Sequence, residues 1–407
     1  MSKQLIVIGG GAAGFFSAVN AARMDRSLKV TIIEKSNKLL SKVKVSGGGR
    51  CNVTHACFDI AEMSKRYPRG QHFVKKAFHQ FFTTDTISWF EERGVKLKTE
   101  DDGRMFPVTD SSQTIIECLL KEANKFGVEI LMNKEVKSLS MINGEWTIKL
   151  SDSRLLTSDY VCIASGGYPK SSMFDWLKEL GHTIEEPVPS LFTFNLPKHP
   201  ITKLMGVSVE KAKIKIQNSK LEEEGPLLIT HWGLSGPVVL RLSAWGAREL
   251  KIKNYELRIN INWLPDYNEE TFRKKIQELR NTNASQKIIN KNSFGLPSRL
   301  WEFFAEQSGI KNEWRWADLP STEQNKFIKN LCSYECEVKG KTTFKEEFVT
   351  AGGIKLNEVD ANTLMSKKVP NLFFAGEVLD VDGITGGFNF QHAWTSGFIA
   401  AKSIAEK

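Results

Sequence analysis

Apolar residues in this chain gather in short runs, and the runs are spaced so that strand and helix alternate. Leu5 to Ile8 is an apolar run that stops at Gly9-Gly10-Gly11; apolar residues at helical spacing follow from Phe15 to Met24, and a second apolar run covers Val30 to Ile33. A strand, a glycine turn, a helix and a strand within about 30 residues make a β-α-β unit, the opening of a doubly wound parallel α/β sheet. Further strands are predicted at Val128 to Met132, Trp146 to Leu150 and Tyr160 to Ala164, the last ending in Ser165-Gly166-Gly167. Leu372 to Ala375 reads as another buried parallel strand, followed by glycines and then a helix from about Gln391 to Ala405.

Between Pro189 and Phe344 the pattern changes. Alternating stretches such as Lys213 to Ile216 and Leu257 to Ile261 predict antiparallel strands, and Glu269 to Ser308 reads as mostly helical. The expected organisation is therefore one α/β domain in two parts, 1–188 and 345–407, with a β-rich and helical substrate or cap region, 189–344, inserted into it. A length of 407 residues agrees with two or three domains rather than one core.

Composition excludes several classes. No apolar run is long enough to span a bilayer, and the run at Leu5 to Ile8 is too short for a secretory signal, so a cytoplasmic protein without a membrane partner is expected. Six cysteines (Cys51, Cys57, Cys118, Cys162, Cys332 and Cys336) are scattered too thinly for a disulfide scaffold, and the Cys332/Cys336 pair has no second ligand pair downstream, so reduced thiols and no metal are expected. The formal charge of +9 raises the question of nucleic acid, but basic residues are interleaved with acids, as in Lys345-Glu346-Glu347. The reading is a solvated basic surface that attracts anionic cofactors or substrates, with no nucleic-acid partner expected.

Three glycine clusters carry the chemistry. Gly9-Gly10-Gly11-Ala12-Ala13-Gly14 matches the dinucleotide fingerprint, with Gly9 for the tight turn, Gly11 for close approach of a pyrophosphate and Gly14 for packing of helix on strand. The amides at the helix start, at Ala13 and its neighbours, face the phosphates. Glu34, at the end of the second strand, stands where a ribose-binding acid belongs and repels a 2′-phosphate, so the site prefers FAD or NAD to NADP. In the second cluster, Lys42 to Asn52, Gly47 and its two neighbours let backbone amides approach a ligand, while Lys42, Lys44 and Arg50 offer positive charge; a flexible glycine loop is the plainer reading of that segment alone. In the third, Phe374 to Gln391, Gly376 and Glu377 end a strand and Gly386-Gly387 precede the last helix, whose positive end stabilises anionic flavin atoms. Glycine sites near both termini imply one shared, long ligand, which FAD is.

The segments SGGGRCNVT (Ser46 to Thr54), DGRMFP (Asp102 to Pro107), THWGLSGPVVLRLS (Thr230 to Ser243) and FAGEVLDVDGITGGFNFQHAW (Phe374 to Trp394) resemble the BaiN/YhiN-like family of bacterial NAD(P)/FAD-dependent oxidoreductases, which includes aminoacetone oxidase, over essentially the whole chain. The resemblance implies FAD as cofactor, a two-part flavin domain like that of glutathione reductase, and an inserted β-barrel plus helical domain. It implies cofactor contacts at Gly11, Gly14, Glu34, Lys35, Lys42, Ser46, Arg50, Cys51, Val136, Gly376, Glu377, Asp380 and Asn389. The glycine reading adds Gly9, Ala13, Gly47, Gly166, Gly386 and Gly387. After Pro169 the chain departs from the family, passing through Lys170 to Met173 straight into a helix where the family has a longer loop.

Among single residues, Cys51 beside Arg50 is a candidate redox thiol, with packing as its plainer role, and His392 is a candidate proton donor near the flavin or an ordinary polar residue. The His231-Trp232 pair lines a substrate cleft or is structural. The function these signals describe is an FAD-dependent oxidoreductase that moves a hydride or electron pair between a small-molecule donor, with NAD(P)H as a transient partner, and a substrate. The alternatives are an FAD-dependent RNA-modifying enzyme and a non-catalytic flavin redox sensor. No second G-x-G-x-x-G follows a strand, so no dedicated nicotinamide domain is expected.

Overall fold

A computed structural model of the chain describes residues 2–290, 292–342 and 349–407, and divides it into two compact units: Met1–Ser190 with Lys345–Lys407, and Leu191–Phe344. The expected junction at 344/345 lies outside the described residues.

The first unit is built on an all-parallel five-stranded sheet in the order Leu372–Phe374, Tyr160–Ile163, Gln4–Ile8, Lys29–Ile33, Glu129–Leu131. Its central strand is buried from Leu5 to Ile8, which is why the sequence shows a run there and no alternation: both faces of a central parallel strand are covered. Trp146 to Leu150 lies outside this sheet, in an antiparallel three-stranded sheet of Val136–Ile142, Glu145–Leu150 and Leu155–Ser158. There Trp146, Ile148 and Leu150 are buried while Glu145 and Lys149 are exposed, the alternation of a half-covered strand.

The helix Ala12–Met24 and the C-terminal helix Phe388–Ala405 pack closely because Gly397 has no side chain: a methyl group there would lie 2.8 Å from the Ala13 carbonyl oxygen and 3.2 Å from the Ser17 nitrogen. Around this crossing Phe16 meets Trp89 and Trp394 with ring centroids 4.6 and 5.2 Å apart. The Trp89 and Trp394 indole N–H groups donate to Asn20 Oδ1 and to the Val53 carbonyl, so these rings are buried without an unsatisfied donor, each contributing about 1.5–3 kcal/mol by burial. The C-terminal helix starts at Phe388, three residues earlier than its apolar spacing predicts, since Asn389 Oδ1 accepts from Gly383 N and its Nδ2 donates to Gly383 O, drawing the first turn into helical form. Past Pro169, Ser171–Phe174 is a short 3-10 turn that runs into the helix Asp175–Lys178.

The second unit holds a seven-stranded sheet with antiparallel pairings, ordered Tyr334–Lys339, Glu256–Asn262, Ser208–Ile216, Glu222–Ile229, Gly233–Ser235, Thr193–Asn195, Lys341–Thr342. The strands at the two ends of that order are separated only by Gly340, whose N–H donates to Tyr255 O and whose carbonyl accepts from Asn195 N, so the ladder meets itself there. The helices Glu269–Thr282, Ser298–Gln307 and Ser321–Cys332 contribute Phe272, Trp301, Phe304 and Phe327 to the same core. Among the described residues no helix is long and apolar enough to cross a membrane.

Candidate functional site: the glycine cradle of the first unit

The N-terminal turn is shaped by three different glycine requirements. At Gly9 (φ +117°) a methyl group would lie 2.3 Å from the Ala164 carbonyl oxygen, and at Gly14 it would lie 1.9 Å from the carbonyl oxygen of Gly9, so both positions are closed by the protein's own backbone. At Gly11 nothing lies within 4 Å of the same position. That open side adjoins the start of a 13-residue helix with no side-chain cap and no acid in its first turn, leaving its first amides for an anion. Gly11 therefore borders open space beside these uncapped amides.

Glu34 stands beside this turn. Its Oε2 accepts from Gly10 N at 2.9 Å and its Oε1 from Ser36 N and Oγ at 2.9 and 2.8 Å, which uses three of the roughly four lone-pair directions of a carboxylate and leaves capacity for a hydroxyl donor. Lys134 N donates to the Glu34 carbonyl, which sets the segment leading to Val136 beside the same strand end. Lys35 lies 5.6 Å from the ring centroid of Tyr168, two residues beyond Gly166, which has φ +76° and open space at its methyl position.

Residues from distant parts of the chain then converge. A methyl group at Gly376 would lie 2.8 Å from Ala13 Cβ, so the third glycine cluster touches the first helix. Glu377 Oε2 pairs with Lys42 Nζ at 2.5 Å while its Oε1 accepts from Thr350 N at 2.8 Å. The second cluster is a helical segment, Ser41–Gly49, interrupted at Ser46, Gly47 and Gly48 by non-helical dihedrals. Phe106 backs it, since a methyl group at Gly47 would lie 2.8 Å from that ring.

Several of the expected contact residues also bond within the protein. Arg50 Nη1 donates to Glu100 at 2.5 Å and its guanidinium lies 3.9 Å from the Phe106 ring centroid, so its charge is neutralised by an acid and held against an aromatic face. Ser46 Oγ donates to Val43 O, and the Asn389 amide serves Gly383. Asp380 N donates to Ile354 O, which fixes the strand-like segment before Asp382.

Burial disfavours the charged forms of the two candidate catalytic groups. Cys51 is fully buried and burial pushes its thiol up to about 12, which favours the neutral thiol. His392 is 2% exposed and burial lowers it to about 4; its Nε2 lies 3.3 Å from the Gly376 carbonyl, so Nε2 carries the proton and Nδ1 is an acceptor without a protein partner. In the second unit, Trp232 Nε1 donates to Thr193 Oγ1 at 3.0 Å, a structural bond, with His231 against its ring.

Sequence reading missed the residues that close the far side. Asn52 accepts from Gly387 N and donates to Thr54 O, each at 3.0 Å; His55 Nδ1 lies 3.0 Å from Gly386 O; Gln391 Oε1 accepts from Thr54 and Thr86 at 2.6 and 3.0 Å; and Tyr67 donates to Phe388 O at 2.6 Å. Buried Asp382 accepts a two-point pair from Arg69 and a bond from Ser190 Oγ at 2.9 Å. Only tertiary proximity reveals these, because the partners are more than 300 residues apart in most cases.

A parallel sheet with a glycine turn leading into an uncapped helix, an acid at the next strand end, and a C-terminal glycine segment folded against it defines a Rossmann-type flavoprotein of the oxidoreductase class. The chain belongs to the family described as HI0933-like protein Rossmann domain, whose model matches residues 3–403. It is 31% identical to a ribosomal RNA dihydrouridine synthase of Escherichia coli over 98% of this chain and 97% of that one, and 28% identical to a 3-dehydro-bile acid delta(4,6)-reductase of Clostridium scindens over the full length of both. The fold is similar to that of 3-ketosteroid-delta4-(5alpha)-dehydrogenase from Rhodococcus jostii, with a TM-score of 0.51 at 11% identity over 98% of this chain and 97% of that one.

Proposed function

We propose that this protein binds FAD and uses it to reduce a carbon–carbon double bond conjugated to a carbonyl. The observation that carries the cofactor reading is the open side of Gly11 at an uncapped helix start, in the same unit as a second uncapped helix behind Gly387. Support for the reaction comes from the relatives: reduction of a 3-keto steroid diene and conversion of uridine to dihydrouridine both add hydrogen across a ring double bond conjugated to a carbonyl. When bound, FAD supplies the hydride chemistry, and the chain supplies position and electrostatics. Gly11 and the amides of the first helix hold the diphosphate, Glu34 the ribose, and the uncapped amides after Gly387 face negative charge.

NAD(P)H serves as a transient donor in this reading, docking without a domain of its own. The test is anaerobic reduction of the FAD-loaded protein by NADH and NADPH, followed by reoxidation with a cyclic enone, an amine-derived imine or uridine. The expected result is slow reduction without saturation at low micromolar nicotinamide, and reoxidation by the conjugated substrates. Tight saturation with one nicotinamide would contradict the donor reading, and reoxidation by the imine alone would contradict the substrate class.

A second reading, an RNA substrate, is favoured by one observation. Residues 191–344 hold 24 Lys and Arg against 17 Asp and Glu, so the second unit carries most of the chain's net charge of +9. A basic excess of this kind suits a polyanion. Binding of ribosomal RNA that weakens steeply between 50 and 200 mM salt, on the order of 10³-fold or more, would support it; equal turnover of free uridine and RNA would count against it.

A further inference from the structure

The peptide unit between Gly386 and Gly387 is gripped at both of its polar ends. Its carbonyl faces His55 Nδ1 at 3.0 Å and its N–H donates to Asn52 Oδ1 at 3.0 Å, with the Asn52 amide donating in turn to Thr54 O. The His55 ring stacks on Phe388, centroids 4.7 Å apart and planes 29° from parallel, so the grip extends into the first helical residue. Gly387 has φ +94°, and a methyl group on it would lie 2.5 Å from Thr54 O, which leaves no room for another residue. Two adjacent glycines impose almost no torsional preference of their own, so without a grip this peptide would rotate freely.

We infer that Asn52 and His55 are positioning residues that set the electrostatics at the start of the C-terminal helix, holding the Gly386-Gly387 peptide so that the first-turn amides of Phe388, Asn389 and Phe390 stay aimed at the flavin. The inference rests on the FAD reading above. The peptide's own N–H and C=O are consumed by the grip, so the glycine pair serves as the hinge pin of the helix start and the three following amides do the facing. An uncapped helix of 18 residues carries about half a positive charge at this end, and its effect on a developing anion depends on the amides being fixed in advance. Loosening the pin lets the first turn fray and reduces the preference for the two-electron-reduced, anionic flavin.

The experiment is potentiometric titration of FAD-loaded protein for the unchanged chain, His55→Phe, which keeps the ring stack and removes the N–H, His55→Gln, which returns a donor, and Asn52→Ser, which shortens the acceptor. The account expects stoichiometric FAD in all four, a midpoint potential more negative by about 30 mV in His55→Phe and Asn52→Ser, equivalent to a tenfold weaker preference for reduced flavin, and recovery of most of that shift in His55→Gln. Potentials equal to that of the unchanged chain in both His55→Phe and Asn52→Ser would overturn it. Should His55→Phe not yield folded protein, Asn52→Ser decides by the same criterion. Failure of the unchanged protein to bind FAD would instead sink the cofactor reading itself.

Discussion

The glycine turn at Gly9 to Gly14 and the one at Gly383 to Gly387 both open helices in the same unit, yet they are held in opposite ways. The first is closed mainly by backbone: Gly9 N donates to Ile33 O, Gly14 sits on the Gly9 carbonyl, and Leu40 N donates to Gly10 O, with the Glu34 carboxylate accepting from Gly10 N. The second is held by side chains from Asn52, His55, Tyr67 and Arg69, none of them near it in sequence. Glycines required by close backbone approach show as a short motif, whereas the remote side chains that hold the second turn are no part of its motif.

Four substitutions or conditions break or sharpen that contrast. The largest effect is expected at the second turn. Asp382→Ala leaves Arg69, 9% exposed, without its buried carboxylate partner, and is expected to cost about 3–5 kcal/mol, read as a lower urea midpoint. A cost under about 1 kcal/mol, the range of an exposed ion pair, would show that the pair does not hold the turn.

At the first turn, Gly14→Ala drives a methyl group to 1.9 Å from the Gly9 carbonyl oxygen and is expected to cost on the order of 3 kcal/mol with loss of FAD. Gly11→Val is the matched contrast. It has open space and extended dihedrals (φ −94°, ψ −169°), so stability should stay within about 0.5 kcal/mol while FAD affinity falls on the order of 100-fold, about 2.7 kcal/mol. Unchanged affinity in Gly11→Val would mean that the open side is not where the diphosphate lies.

The last is a pH dependence from a third buried junction in this unit. His182 Nδ1 lies 3.0 Å from Glu358 Oε2, its Nε2 lies 3.0 Å from Ser366 Oγ, and Lys368 donates to Glu358 Oε1 at 2.7 Å. These bonds outweigh burial and hold the Glu358 carboxyl down at about 2 against an ordinary value of 4.5. A depressed carboxyl stabilises the fold above its unfolded value and loses that contribution as pH falls, here from about 4.5 toward about 2. Burial also lowers His182, so protonation in the unfolded chain below about 6.5 acts in the same direction. Glu358→Gln should flatten the acid side of a stability–pH curve; a curve of unchanged slope would remove Glu358 from the account.

The parallel sheet and both glycine-led helices were legible in the sequence because each follows from local pattern: apolar runs for strands covered on both faces, and a glycine cluster ahead of each helix. Trp146 to Leu150 shows the limit of that reading, since its alternation marks a half-covered strand but not which sheet it joins. The charges at Lys42 and Arg50 were visible as charges; their commitment to Glu377 and Glu100 was not, because an ion pair depends on distance in space. Cys51 and His392 were candidates by type and position, with packing the plainer role of Cys51, and burial, which the sequence does not encode residue by residue, disfavours the charged form of each.

The central claim is that the first unit holds one dinucleotide flavin across both glycine regions, and it is tested most directly by equilibrium titration of the flavin-free protein with FAD and with FMN, followed by absorbance and fluorescence. The account predicts one FAD per chain and far weaker FMN binding, because the Gly11 helix start and Glu34 serve the adenosine half that FMN lacks. Equal affinity for FMN, or no uptake of either flavin, would contradict it.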